Sequence, residues 1–240
     1  MVVRDAARPG VETEVGDFDH PTQVYWPGTG NDLIAVTEVS DGPRGPRWEA
    51  FRIDTRSKAR AVIRQPDSHR ITDCSRDGRR YLVEYVVNQP PGLGENQTSR
   101  LGIVNADGAG ARWLVPVGVV CVRATFSPDG RRVLASLRWP ASDNAELCVL
   151  DPDGPPATPV SPRLIGATNT TGSDWSPDGR RIAYIRTGML PPDRTTDPPT
   201  RWCRYQLCVA DADGGSVSVL LDYTEPYDVT DSYLRGVVWR

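Results

Sequence analysis

One six-residue turn, Ser-Pro-Asp-Gly-Arg-Arg, occurs twice in this chain of 240 residues and nearly a third time. It occupies residues 127–132 and 176–181, and a variant with Arg in place of Pro occupies residues 75–80. Each copy is followed by an apolar run and later by a second turn, Asp/Asn-x-Asp-Gly. Asp-Gly between two apolar runs predicts a β-hairpin, because glycine readily takes the positive φ of a tight turn. A pattern that recurs at a fixed period indicates a repeat architecture.

Each unit is predicted to contain four strands, a to d, with the first turn between a and b and the second between c and d. A degenerate unit at 24–63 precedes the others, and residues 234–239 are predicted to form one more strand a. Strand d of the third unit is predicted at 158–160. In successive units strand a ends at Trp26, Cys74, Phe126, Trp175 and Trp239. These residues are 48, 52, 49 and 64 positions apart. Four-stranded units of this length are typical of β-propeller blades.

Two phrases resemble the WD40-like repeats of TolB-type β-propellers. They are Trp-Ser-Pro-Asp-Gly-Arg-Arg-Ile-Ala-Tyr, from Trp175, and Leu-Cys-Val-Ala-Asp-Ala-Asp-Gly-Gly, from Leu207. The resemblance covers residues 22–239. It implies an all-β propeller of four-stranded antiparallel blades, of which this sequence predicts four complete blades and one extra inner strand. Propellers of this family usually close with six or more blades.

The ring can be completed in three ways. In the first arrangement, the chain is a fragment of a longer propeller. In the second, it shares its ring with a second chain as a homodimer. In the third arrangement it closes as a small ring, with residues 2–16 supplying outer strands to the blade begun at 234–239. An open ring would leave strand edges exposed, which proteins normally avoid. The predicted domains are an N-terminal segment at 1–21, with this closing role, and the propeller at 22–240.

Composition excludes several classes of function. The net charge of −3 provides no basic footprint for nucleic acid. The five cysteines lack the spacing of a zinc site or a disulfide framework, and Cys148 and Cys208 are predicted to be buried, because free cysteine behaves as a small hydrophobe. Cys203 and Cys208 are expected on opposite faces of one strand. The Arg-Arg pairs after the turns are interpreted as solvated hairpin edges.

The first 20 residues carry seven charged side chains and no apolar core, so no signal peptide is predicted. No apolar run has the length of a transmembrane segment. The chain as written is therefore predicted to be cytoplasmic. The TolB-type resemblance implies a bacterial protein that is periplasmic or secreted if a leader has been removed.

The two kinds of turn are predicted to share one face of the propeller, and the irregular loops the other. Uniform turns are explained by folding alone, so their Asp residues are assigned a structural role. The b–c loops are long, differ from one another and contain many Pro and Gly residues, and they occupy 40–47, 88–100, 138–145 and 188–201. Variable loops on a rigid scaffold are the usual place for binding, so this long-loop face is the predicted functional surface.

Candidate ligand-binding residues lie where the chain enters each strand a, near the expected channel mouth: His20, His69, Arg70, Arg123, Asn169, Asp228 and Asp231. An ordinary hydrogen-bonded or ion-paired surface role is the default interpretation of each. Imidazole and carboxylate are common ligands of divalent metals, so an alternative metal site consists of His20, His69, Asp228 and Asp231. No nucleophile, Walker or dinucleotide-binding motif is present.

The sequence therefore predicts a non-enzymatic scaffold, without a cofactor, that binds a protein or peptide partner through the loop face or channel mouth. The TolB-type resemblance implies partners at or near the cell envelope. The alternative is a metal-dependent lyase, or another small-molecule enzyme, with a divalent metal at the channel mouth. Fold alone does not choose between them, because propellers host both.

Overall fold

The structure, a computed structural model, describes residues 2–4, 12–14, 21–27, 31–40, 46–63, 69–87, 98–140, 142, 144–158, 163–192, 195 and 201–226. All the helices and strands assigned in these ranges amount to eighteen β-strands and no helix. The strands form one two-stranded hairpin and four antiparallel sheets of four strands each. Within the same ranges, no helix of sufficient length and apolar character to cross a membrane is present.

The strands follow one another in chain order. The N-terminal hairpin comprises β1 (Val2–Arg4) and β2 (Glu12–Glu14). Blade one comprises β3 (Pro21–Tyr25), β4 (Asp32–Ser40), β5 (Pro46–Asp54) and β6 (Arg60–Ile63). Blade two comprises β7 (His69–Cys74), β8 (Arg80–Val87), β9 (Thr98–Asn105) and β10 (Arg112–Trp113). Blade three comprises β11 (Val120–Phe126), β12 (Val133–Arg138), β13 (Ala145–Leu150) and β14 (Arg163–Thr168). Blade four comprises β15 (Thr170–Trp175), β16 (Arg181–Met189), β17 (Trp202–Asp211) and β18 (Val217–Pro226).

In each blade the strands pair in chain order, which confirms the predicted four-stranded meanders. The chain divides into two compact units, Met1–Gly118 with blades one and two and Val119–Arg240 with blades three and four. In the N-terminal segment β1 pairs with β2. The predicted extra strand at 234–239 lies outside the described residues, so ring closure stays a prediction.

The last strand of blade three differs from its prediction. Strand d begins at Arg163, where Cys148 of β13 pairs with it, and not at Thr158. The predicted strand contains Pro159, and Pro162 follows it closely. Proline cannot donate a hydrogen bond to the strand ladder, which disfavours pairing there. As a consequence, Asn169 alone separates β14 from β15, where a longer loop was expected.

The repeated turns are built from the same hydrogen bonds. In blade three the Ser127 hydroxyl donates to Asp129 Oδ1 at 2.6 Å and accepts from the Arg132 backbone N–H at 2.9 Å. The turns of blades two and four have the same pair of bonds. In each turn the bond from the serine hydroxyl is the main reason why the pKa of the aspartate is lowered. These local bonds support the structural role predicted for the turn aspartates.

In each unit, an arginine of one blade donates a hydrogen bond to the first turn of the next blade. Arg132 of blade three donates to the Gly179 carbonyl oxygen, and its guanidinium lies 4.8 Å from the centroid of the Trp175 ring. In the first unit Arg52 donates to the Gly78 carbonyl oxygen at 3.0 Å. Both glycines have a φ of +67°, which favours glycine over residues with a side chain. Arg132 is therefore a contact between blades, and not the solvated edge that was predicted.

Apolar side chains between paired blades form the core of each unit. Blades one and two share a cluster that includes Ile34, Ile71 and Tyr81, and blades three and four share one that includes Trp175 and Cys208. All five cysteines are free and buried, and Cys203 belongs to a separate cluster from Cys208, as their spacing predicted. Burial of each large aliphatic side chain contributes about 1.5–3 kcal/mol.

Candidate functional site

The predicted site residues fall into three groups. His20, Asp228 and Asp231 lie outside the described residues, so the alternative metal site stays a prediction. His69 and Arg70 begin β7 in the first unit. In the second unit, Arg123 is an exposed residue of β11 and Asn169 connects β14 to β15. Among the residues that the structure describes, no three His, Cys, Asp or Glu side chains are grouped to hold a metal ion.

His69 belongs to an aromatic cluster on blade two, and it lies in the strand where a loop position was predicted. Its ring stacks on Trp113, with centroids 5.6 Å apart and planes 18° apart, and it also contacts Tyr85 at 5.0 Å. The Arg100 guanidinium lies 4.4 Å from the Trp113 ring centroid. Gly102 permits this packing, because a Cβ there would lie 2.9 Å from the indole. We call His69, Tyr85, Arg100 and Trp113 the blade-two aromatic cluster.

Arg70 connects blade two to blade one. Its guanidinium lies 4.8 Å from the Trp48 ring centroid, and its Nε donates to Gln23 Oε1 at 3.3 Å. Gln23 Oε1 also accepts a hydrogen bond from the Tyr25 hydroxyl. Arg70 therefore extends a group of cationic and aromatic side chains at the end of these blades where strand a begins.

Asn169 is a turn residue with a role in positioning its neighbours. Its φ is +53°, a conformation that asparagine tolerates better than most residues. Its backbone N–H donates to the Ala145 carbonyl oxygen at 2.8 Å. Its own carbonyl oxygen accepts from the Thr187 N–H at 3.0 Å and from the Thr187 hydroxyl at 2.9 Å. Asn169 therefore joins blades three and four and holds Thr187 in place.

Thr187 lines a cavity of about 290 Å³ at the long-loop end of blade four. We call this cavity the blade-four pocket, and its lining residues are Arg186, Thr187, Gly188, Met189, Leu190, Arg204 and Gln206. Strand register brings the polar members together, because Arg186 pairs with Gln206 and Gln206 pairs with Asp222 across β16, β17 and β18. None of these side chains was among the predicted site residues. One sequence signal points to this pocket. Arg204, Gln206 and Cys208 lie two positions apart in β17, so they share one face of the strand, which changes from polar to apolar along its length.

A chain of hydrogen bonds connects the side chains of the blade-four pocket. Arg186 donates to Gln206 Oε1 from Nε at 2.9 Å and also from Nη2. Gln206 Nε2 donates to Asp222 Oδ2 at 2.8 Å, and Arg204 Nε donates to Asp222 Oδ1 at 2.8 Å. A second Arg204–Asp222 bond joins Nη2 to Oδ2. The buried Gln206 amide is thereby oriented, with its oxygen toward a cation and its nitrogen toward an anion.

Two guanidinium groups line the pocket, those of Arg186 and Arg204, and the Asp222 carboxylate accepts hydrogen bonds from Arg204. Hydrogen bonds from Arg204 and then from Gln206 lower the pKa of Asp222 to about 2, so this carboxylate is ionised at neutral pH. The same carboxylate raises the pKa of Arg204. The Arg204 and Asp222 side chains are 48% and 36% exposed, so their ion pair adds little to stability and acts mainly to hold Arg204 in position.

We expect Asp222 to titrate with a pKa of about 2 at low ionic strength, measured from the side-chain carboxyl ¹³C shift. Because the folded-state pKa lies below the unfolded value of about 3.9, the pair stabilises the fold above about pH 4. This contribution is lost as the pH falls toward about 2. Arg204→Gln should raise the pKa toward about 4, whereas Arg180→Ala, at the turn end of the same blade, should leave it unchanged. A pKa near 4 in the parent chain, or no response to Arg204→Gln, would contradict this geometry.

Comparison with known proteins places the fold among β-propellers. No family model matches the chain, and no curated protein matches it in sequence. The structure of TolB from Acinetobacter baumannii matches with a TM-score of 0.57 and 17% identity, over 91% of this chain and 51% of that chain. The β-propeller domain of the Trilobed protease from Pyrococcus furiosus matches with a TM-score of 0.55 and 11% identity, over 85% of this chain and 58% of that chain. A puromycin-hydrolyzing peptidase of Mycobacterium tuberculosis matches with a TM-score of 0.50 and 16% identity, over 83% of this chain and 32% of that chain.

These matches agree with the resemblance that the repeats carry. The chain has the fold of a TolB-like β-propeller with four-stranded blades. The match covers 51% of the TolB chain, so this protein spans about half of that chain's length. A TolB protein and two proteases share this architecture, so the fold is compatible with more than one function.

Proposed function

We propose that this protein is a non-enzymatic β-propeller scaffold that binds a protein or peptide partner through the long-loop ends of its blades. The observation that carries the proposal is the contrast between the two ends of a blade. The turn ends of blades two, three and four hold uniform hairpins, whereas the long-loop ends of blades two and four hold the aromatic cluster and the charged pocket. Arg and aromatic side chains are enriched in binding interfaces and dominate their energetics.

The packing at the long-loop ends also favours binding. In the blade-two aromatic cluster, the Trp113 ring contacts the His69 ring and the Arg100 guanidinium. Side chains that are already ordered lose less conformational entropy when a partner binds. The TolB-like fold is consistent with a protein partner at or near the cell envelope, in the periplasm or outside the cell, and this location is part of the proposal.

Selection of a random peptide library against the folded 240-residue chain tests the proposal. We expect enriched peptides whose affinity, measured by calorimetry, falls at least about tenfold in Trp113→Ala or Arg100→Ala, a loss of about 1.4 kcal/mol. The matched control is Arg79→Ala, which removes an exposed arginine from the turn end of the same blade. The proposal is wrong if no peptide is enriched, or if Arg79→Ala weakens binding as much as Arg100→Ala.

The enzymatic alternative has its own measurement. A metal-dependent lyase with His20, His69, Asp228 and Asp231 would retain a divalent metal through purification, and His69→Ala would remove it. Metal content by mass spectrometry of the parent chain and this variant decides between the two functions. Stoichiometric metal that is lost in His69→Ala would support the enzymatic function and contradict the scaffold function. A metal-free chain that binds selected peptides would support the scaffold function.

A further inference from the structure

We propose that strand a of blade one is a docking face for blade four of a second copy of this chain. The face consists of Val24, in β3, and Trp26, which follows that strand. These residues lie two positions apart and therefore on the same side of the extended backbone. We call them the blade-one face. The inference is independent of the proposed function, because Trp26 lies at the turn end of its blade and the proposed partner binds at the long-loop ends.

The blade-one face is exposed where its counterpart in blade four is buried. Val24 and Trp26 are 47% and 50% exposed. The repeat places Ser173 and Trp175 at the same two positions of blade four, and each is 4% exposed. The two strands match residue by residue, because β3 and β15 both have a register shift that begins five residues before the tryptophan. Blade one therefore exposes two large apolar side chains at positions that blade four buries.

In blade four, the preceding blade covers this position. Trp175 belongs to the apolar core shared with blade three, and the Arg132 guanidinium lies 4.8 Å from the centroid of its ring. Arg132 also donates to the carbonyl oxygen of Gly179, four residues after Trp175. In the sequence, Gly30 stands four residues after Trp26 in the same way. The group that fits beside Trp26 is therefore a blade edge that carries an arginine.

Blade four carries the matching arginine. Arg181 has the same place in its turn as Arg132, because each is the last residue of Ser-Pro-Asp-Gly-Arg-Arg. Arg132 is half-buried where it contacts the next blade, whereas Arg181 is exposed. One chain therefore carries both halves of a blade contact, the tryptophan on blade one and the arginine on blade four.

A second copy is the occupant that these observations favour. Trp26 is 50% exposed within its own chain, so the chain leaves room beside this ring for another molecule. Tryptophan and arginine are also the residue types that are enriched where proteins bind one another. The contact joins different faces of the two copies, so it is head-to-tail, and two copies close when each binds the other. Of the three ways to complete the ring, this selects the pairing of two chains.

Light scattering and sedimentation equilibrium of the full chain test the docking. We expect a dimer with a Kd on the order of 10 μM, and Trp26→Ala and Arg181→Ala should each weaken it at least about tenfold. At protein concentrations well below this Kd the chain is a monomer, where Trp26→Ala has only the small stability cost of an exposed residue. The matched control is Arg180→Ala, the adjacent exposed arginine, which should associate as the parent does. A monomer at every concentration, or equal association of the parent and Trp26→Ala, would overturn the inference.

A mixture of the two variants separates contact between copies from contact within one chain. Trp26→Ala retains Arg181, and Arg181→Ala retains Trp26, so one intact contact can form between the two variants. The equimolar mixture should therefore associate more than either variant does alone at the same total concentration. If the mixture gains nothing, the two residues do not meet across copies and the inference is wrong.

A photo-crosslink identifies the surface that covers position 26. Trp26→benzoylphenylalanine in a ¹⁵N-labelled chain, mixed with unlabelled chain, should give crosslinked peptides that combine both isotopes and include the turn around Arg181. Crosslinks confined to one isotope would assign the contact to the same chain, and crosslinks to another part of a second copy would show that blade four is not the occupant. Either result would overturn the inference.

Discussion

Replacement of Trp175 by alanine is expected to lower the free energy of unfolding by about 3–5 kcal/mol. Trp175 is only 4% exposed and packs against Leu134 and Tyr184 in the core between blades three and four. The change would leave a cavity and would also remove the ring beneath the Arg132 guanidinium. Urea unfolding followed by circular dichroism measures the loss without depending on the fluorescence of the replaced residue.

The control for this prediction is the equivalent tryptophan of blade one. Trp26 occupies the corresponding position of the repeat but is 50% exposed. Because exposed substitutions usually change stability by about 0.5 kcal/mol or less, Trp26→Ala should cost at most about 1 kcal/mol. Equal losses for the two variants would mean that repeat position, and not burial, determines the contribution of these tryptophans.

Arg132→Ala is expected to lower the free energy of unfolding by about 2–3 kcal/mol. The variant loses a charged hydrogen bond to the Gly179 carbonyl oxygen, worth about 1.5–3 kcal/mol, and a cation–π contact worth about 0.5–2 kcal/mol. The two contributions share one side chain and do not add fully. Thermal and urea unfolding both report the change.

Arg131→Ala is the matched control, because it removes the same charge from the adjacent residue. Arg131 is exposed, and its backbone N–H, which donates to Asp129 Oδ1 at 3.0 Å, is retained in the variant. Its cost should be within about 0.5 kcal/mol. If Arg131→Ala destabilises the chain as much as Arg132→Ala, the contact between blades does not contribute as the structure indicates.

The sequence predicted the hairpins well because their determinants are local. Ser127, Asp129 and Arg132 lie within six residues and form the bonds of one turn, and Gly130 supplies the positive φ. Strand d of blade three was misplaced because it is an outer strand, which pairs with one neighbour only. Pro159, inside the predicted strand, and Pro162, just before the observed one, carried the information that the pattern of apolar residues lacked.

The candidate sites were predicted only in part. His69 and Arg70 were selected for their position before strand a, but their neighbours in the fold, Trp113 and Trp48, belong to strands far from them in the chain. The charged residues of the blade-four pocket were missed, because neighbours across paired strands are recognisable only when the register is known.

The sequence by itself determined the four-stranded blade, its two turns and the buried cysteines. These features depend on interactions between residues a few positions apart and on the alternation of side chains along a strand. Only the tertiary structure decided which arginine forms a hydrogen bond with the turn of a neighbouring blade and which polar side chains form a pocket. The reason is physical: Arg132 and Gly179, or Arg186 and Gln206, are distant in the chain, and strand pairing and blade packing bring them into contact.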